Sequence, residues 1–146
     1  LPQKLFGVYE HRVLKPSSPL FRGFDDRFWV PHSRNTTVDR TDIEAVPGLK
    51  VLAASPEAGV YAVKTEGGRQ VYLMGHAEYD SDTLKKDVDI QLPQHYFPDD
   101  DPEKEPVVRW RSCANLLYSN WLDYFVYQTT PYDLSASFPD GHSAEE

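Results

Sequence analysis

Thiols, positive charge and long apolar runs are all scarce in this chain. Cys113 is the one cysteine among 146 residues, so no intramolecular disulfide can form and a reducing compartment is the simpler expectation. Lys and Arg number 15 against 23 Asp and Glu, a formal net charge of -8, which argues against nonspecific nucleic-acid binding. No apolar run approaches the ~20 residues of a membrane span. No basic-then-apolar signal segment opens the sequence, and no stretch repeats. A cytoplasmic protein with neither membrane nor nucleic-acid partners is therefore expected. The chain also opens at Leu1-Pro2 without Met, which raises the expectation of polypeptide upstream. His11, His95 and His142 stand at no metal-like spacing from carboxylates or the cysteine, so no metal is expected. Asp99, Asp100, Asp101, Glu103 and Glu105 crowd one Pro-flanked stretch, whose spacing is not that of a calcium loop and which reads as solvated.

What is present suits one globular domain or a piece of one: 40% of residues are hydrophobic and 13% aromatic. Residues 5–14 read as a strand running into a turn at 15–19. Residues 21–31, broken by Gly23 and ended by Pro31, read as loop or short strand. Thr41 or Asp42 caps a short helix whose apolar face is Ile43, Val46 and Leu49, stopped by Pro47-Gly48. Strands are expected at 50–54, at 60–64, where alternation is strict, and at 70–74, the last two joined by a hairpin at Glu66-Gly67-Gly68. A helix is expected to start near Thr83. Another runs over 113–127, with Leu116, Leu117, Trp121, Tyr124, Phe125 and Val126 inward and Asn115, Ser119, Asn120 and Asp123 on the other side. Short strands mixed with helices indicate the α/β class with at least one antiparallel edge.

Gly75-His76-Ala77-Glu78-Tyr79-Asp80 is the stretch richest in chemistry. A strand that stops at Gly75 leaves the His76 imidazole at the rim of a sheet, where reacting groups gather in open α/β folds. Imidazole titrates near neutrality and can accept and return a proton in one turnover. A carboxylate two residues on, in a turn, can hold one ring nitrogen and fix the tautomer; the same pair also suits a structural, hydrogen-bonded histidine. In Pro31-His32-Ser33-Arg34, a hydroxyl beside a guanidinium suits an amino-acid substrate, or an ordinary loop. Cys113, near a helix start, reads either as a nucleophile or as a buried, inert thiol.

Several collinear blocks together resemble the homoserine O-acyltransferase family, which transfers acetyl or succinyl groups: Phe6-Gly7-Val8-Tyr9-Glu10-His11, Arg22-Gly23-Phe24-Asp25-Asp26, Val30-Pro31-His32-Ser33-Arg34, Gly75 to Asp80, Gln94-His95-Tyr96-Phe97-Pro98, Trp110-Arg111-Ser112, Asn115 to Leu122, and Tyr124 to Leu134. The resemblance covers residues 6–134. It implies a class I glutamine-amidotransferase-like fold of flavodoxin-like sandwich type, of which residues 1–134 form the C-terminal part, with antiparallel edge strands and a flexible tail at 135–146. It further implies a cytoplasmic homodimer acting in methionine biosynthesis. Acetyl-CoA or succinyl-CoA serves as acyl donor, no cofactor stays bound, and L-homoserine is the acceptor.

In such a reaction a cysteine takes the acyl group and passes it to the homoserine hydroxyl. The resemblance makes His76 the general base, Glu78 its orienting acid and Ser33 a substrate contact. The family's nucleophile and a substrate-binding lysine match nothing here, so the N-terminal half of the same enzyme is an expected partner and this chain alone is expected to be inactive. A family arginine that binds the amino acid is also unmatched, because Lys86 runs almost directly into Asp89, where a stretch of the family's sequence is expected to be missing. The family's Ser-His-Gly is Ser112-Cys113-Ala114, and the proline after its histidine is Ala77. Two alternatives remain: the same chemistry on L-serine, and a noncatalytic regulatory or binding fragment.

Overall fold

In the computed structural model, which describes residues 1–88 and 90–129, five strands form one sheet in the order β2-β1-β3-β4-β5. β1 (Leu5–Val13) pairs antiparallel with β2 (Arg27–Arg34) from Leu5 opposite Arg34 to Arg12 opposite Arg27. The far end of β1 pairs with β3 (Leu49–Ser55), which forms a hairpin with β4 (Gly59–Thr65). β4 in turn pairs with β5 (Val71–Leu73). All four pairings are antiparallel. A short helix, α1 (Arg40–Glu44), precedes β3, and the long helix α2 (Arg111–Trp121) continues into a π-helical turn, Leu122–Tyr127. No helix among the described residues is long and apolar enough to cross a membrane.

The sheet curls. Beyond β5, the Met74 N–H donates to the Tyr61 carbonyl of β4 (2.8 Å), and the His76 N–H donates to the Pro31 carbonyl of β2 (2.8 Å). The chain leaving one edge strand therefore reaches the strand at the opposite edge. Gly75 sits at this crossing, where an added Cβ would lie 2.7 Å from Val30 Cγ1 and 2.8 Å from His32 Cε1. Only a residue without Cβ fits such an approach unless its neighbours move. Gly7 has a similar task. Its φ is +147°, and a Cβ there would lie 2.2 Å from the carbonyl oxygen of Gln94, whose backbone docks on β1 through Gln94 N–H to Phe6 O (3.0 Å) and Val8 N–H to Gln94 O (2.8 Å).

Alternation along the strands divides the core. Phe28, Val30, Leu52, Tyr61 and Ala62 meet Leu20, Phe21, Ala77 and, from α2, Ala114 and Leu117. Phe6 and Val8 pack with Leu84, Tyr96, Phe97 and Trp110, with Trp29 and Tyr79 against them. A smaller cluster gathers Ile43 of α1 with Val51, Val60 and Val63. Burial of this kind contributes roughly 25 cal/mol per Å² of apolar surface.

The expected strands at 5–14, 50–54, 60–64 and 70–74 and the α/β class are met. Three expectations need correction. Pro31 does not end the 21–31 segment; it lies inside β2. Its carbonyl points off the sheet's edge to His76, so the N–H it lacks would also have pointed outward, and an edge strand tolerates that loss. The helix expected near Thr83 is only a 3₁₀ turn, Thr83–Asp87, with no side-chain cap bond. In the 113–127 helix, which begins at Arg111, Asn120 is buried, not outward, and its amide donates to the carbonyls of Leu20 (3.0 Å) and Arg22 (2.8 Å). Trp121, expected inward, is exposed. The two backbone carbonyls that the Asn120 amide reaches outweighed the hydropathy of the stripe. The acidic stretch forms a 3₁₀ turn, Pro98–Asp100, tied by a Lys104–Asp99 ion pair of 2.6 Å. The expected tail at 135–146, His142, and Asp89 at the expected break all lie outside the described residues.

Candidate active site

His76 is delivered by the crossing just described. With its N–H fixed to Pro31 O, its imidazole stands at the β2 edge, and the side chain is 37% exposed. Nδ1 lies 2.8 Å from Glu78 Oε1. An ionised carboxylate can only accept, so Nδ1 carries the proton and Nε2 is the lone-pair nitrogen of the neutral ring. The ring also stacks on Tyr79, with centroids 4.4 Å apart and planes 8° apart. Tyr79 is anchored in turn, because its carbonyl accepts the Trp110 indole N–H at 2.8 Å. A hydrogen bond in the ring plane and an aromatic face beneath it leave the imidazole little freedom to turn.

Ser33 follows Pro31 by two residues on the same strand and is half-buried. Strand alternation places Trp29, Pro31 and Ser33 on one face, which is the face Tyr79 packs against. The structure thus brings His76, Glu78 and the Ser33 face to one edge of the sheet. Arg34 is not brought there. It points to the opposite face, where its guanidinium donates to the carbonyls of Thr36 and Ala58 and its Nε to His32 Nδ1 (3.4 Å). A carboxylate-binding role beside Ser33 is therefore closed to Arg34 in this arrangement.

Beneath the crossing lies a buried pair that spacing did not reveal. His11 and His32 are fully buried and stacked, with centroids 5.1 Å apart and Nε2 atoms 3.2 Å apart. His11 Nδ1 donates to Tyr9 O (3.0 Å), which leaves its Nε2 to accept from His32 Nε2–H. The Nδ1 of His32 then accepts from Arg34. Every ring nitrogen is satisfied with both rings neutral. Burial pushes the pKa of His11 down to about 4; burial, then His11 and Arg34, push that of His32 down to about 2. The alternation of β1 and β2 could have placed both residues inward, but not against each other. Tyr79, also overlooked, was present in the motif three residues after His76.

Cys113 packs against the core cluster at the start of α2, and burial pushes its thiol pKa up. A thiol so placed is a poor nucleophile near neutrality.

A family model described as homoserine O-succinyltransferase matches residues 1–132. The chain is 55% identical to a homoserine O-acetyltransferase of Acetivibrio thermocellus, with 92% of this chain and 47% of that protein aligned. It is 56% identical to one of Petrotoga mobilis over 90% of this chain and 45% of that protein. The chain therefore spans about half the length of the curated relatives it matches. Among solved structures, one titled SMU.1228c shares the fold over 82% of this chain and 51% of its own, at TM-score 0.57 and 20% identity. The long collinear match agrees with the blocks that surround His76, Glu78 and Ser33, and by it this chain belongs to the homoserine O-succinyltransferase family.

Proposed function

We propose that the complete protein is an acyltransferase that moves an acetyl group from acetyl-CoA to the hydroxyl of L-homoserine through a cysteine acyl-enzyme. The names of the relatives at 55–56% identity favour acetyl over succinyl. The observation that carries the reading is the 2.8 Å contact of His76 Nδ1 with Glu78, which leaves Nε2 as a base at an exposed rim. A class I glutamine-amidotransferase-like whole, a cytoplasmic homodimer and a place in methionine biosynthesis belong to the same reading.

The chemistry runs in two balanced steps. His76 Nε2 takes the proton of a thiol supplied by polypeptide outside this chain. The thiolate attacks the thioester carbonyl, and the departing CoA sulfur leaves with that proton. Nε2 next takes the proton of the homoserine hydroxyl as its oxygen attacks the acyl-cysteine, then returns it to the enzyme thiol. Glu78 holds the tautomer and stabilises the imidazolium in each half, and Ser33 contacts the amino acid. Base catalysis of this kind contributes ~10²–10⁴-fold.

The full-length protein, incubated with acetyl-CoA and either L-homoserine or L-serine, should form O-acetylhomoserine at the higher kcat/KM. A pocket separates acceptors one methylene apart by only ~1–3 kcal/mol, so both must be measured. Absence of acylated product with either acceptor and either acyl-CoA would overturn the reading.

A further inference from the structure

From the underside of the crossing we infer that His32 is a positioning residue for His76: its imidazole, gripped between His11 and Arg34, is the stop against which the Gly75–His76 peptide is seated. The inference rests on the proposed role of His76 as the base. Three consecutive residues of β2 hold that peptide. The Pro31 carbonyl accepts the His76 N–H at 2.8 Å. Val30 and His32, its two neighbours in the strand, close over Gly75. The point a Cβ would occupy there lies 2.7 Å from Val30 Cγ1, 2.8 Å from His32 Cε1 and 2.9 Å from His32 Nε2. The hydrogen bond fixes where the His76 nitrogen sits, and the ring edge limits how deep the chain before it can sink.

A stop must itself be rigid. The His32 ring is fully buried and held at both nitrogens, since Nε2–H donates to His11 Nε2 (3.2 Å) and Nδ1 accepts from Arg34 Nε (3.4 Å). His11 stacks on it with centroids 5.1 Å apart, and Tyr9 and Tyr61 meet it edge-on at 5.8 and 6.4 Å. Both anchors are fixed in turn, His11 by the Tyr9 carbonyl (3.0 Å) and Arg34 by the carbonyls of Thr36 and Ala58. An aliphatic side chain of similar bulk would fill the space yet remain free to change rotamer; a ring bonded at both ends is not. Neutrality suits the task as well. With the His11 and His32 rings uncharged, His32 adds no like charge beneath the imidazolium that His76 becomes in each proton transfer.

The test compares His32→Ala and His32→Gln in the full-length protein, first by amide hydrogen exchange without substrate. His32→Ala removes the stop, so the His76 amide should exchange at least about tenfold faster than in wild type. The Leu14 amide, which donates to Leu52 O (2.8 Å) where β1 meets β3, should keep its rate. His32→Gln can donate to the same nitrogen of His11 but rotates more freely, and should give about a threefold change; it keeps the comparison decisive if the alanine variant does not fold. In steady-state kinetics kcat should fall about ten- to hundredfold in His32→Ala and less in His32→Gln, with KM for L-homoserine within about twofold. Unchanged His76 exchange in the variants that fold overturns the inference. So does equal acceleration at Leu14, the mark of a general loss of stability, or a defect carried by KM with kcat unmoved. A wild-type protein that transfers no acyl group would sink the enzymatic reading and leave the exchange comparison to decide for His32.

Discussion

Acidification should unfold this protein earlier than its carboxylates alone dictate, because His11 and His32 are buried neutral. Both native pKa values lie below the unfolded value of ~6.5, at about 4 and about 2. Near pH 5.5 the unfolded chain binds protons at both sites and the native state at neither. Stability from this source is full above the unfolded pKa and is lost as pH falls through it toward the native values. Between pH 7.5 and 5.5 each histidine costs roughly 1.4 kcal/mol, and the pair about 3 kcal/mol. A domain holds only ~5–15 kcal/mol in all, so the loss is large.

Urea unfolding at half-unit steps over that interval measures it, and the window sits above most carboxylate titration. His11→Gln should remove about half of the pH slope, even though the variant is less stable at every pH. A slope unchanged by His11→Gln and by His32→Gln would refute the buried-neutral assignment.

Other substitutions probe the frame around the site. Gly75→Ala forces a Cβ within 2.7–2.9 Å of Val30 and His32; it should lower stability by about 1–3 kcal/mol and, by displacing His76, reduce kcat at least tenfold, read by chemical unfolding and steady-state kinetics. Asn120→Leu strands the carbonyls of Leu20 and Arg22 and should cost about 1–3 kcal/mol in the same unfolding assay, with KM unaltered. Cys113→Ala should leave acyl transfer within about twofold of wild type, because a half-buried thiol with raised pKa takes no part; loss of activity in a folded Cys113→Ala protein would contradict that.

Where local pattern and tertiary packing agreed, the fold was legible. The alternation at 60–64 and the Gly67-Gly68 turn lead to the β4–β5 hairpin, and the Gly75 stop sets His76 at a sheet rim. The contacts that complete the site come from residues far apart in the chain, and periodicity carries no trace of them. His11 meets His32 only because β1 and β2 pair and the sheet curls, and Asn120 turns inward to donate to the carbonyls of Leu20 and Arg22. Pro31 misled for a related reason: a proline ends a central strand, and only the finished topology shows that β2 is an edge. Arg34 looked like a carboxylate ligand beside Ser33, yet strand alternation sends neighbouring side chains to opposite faces.

The most direct trial of the account is the intact and peptide mass of the full-length protein after brief exposure to acetyl-CoA without acceptor. One acetyl group should appear on a cysteine outside residues 1–146, vanish on addition of L-homoserine, and fail to form in His76→Ala. Acetylation at Cys113, or undiminished labelling of His76→Ala, would contradict the claim that the Nε2 of His76 serves a thiol from the remainder of the enzyme.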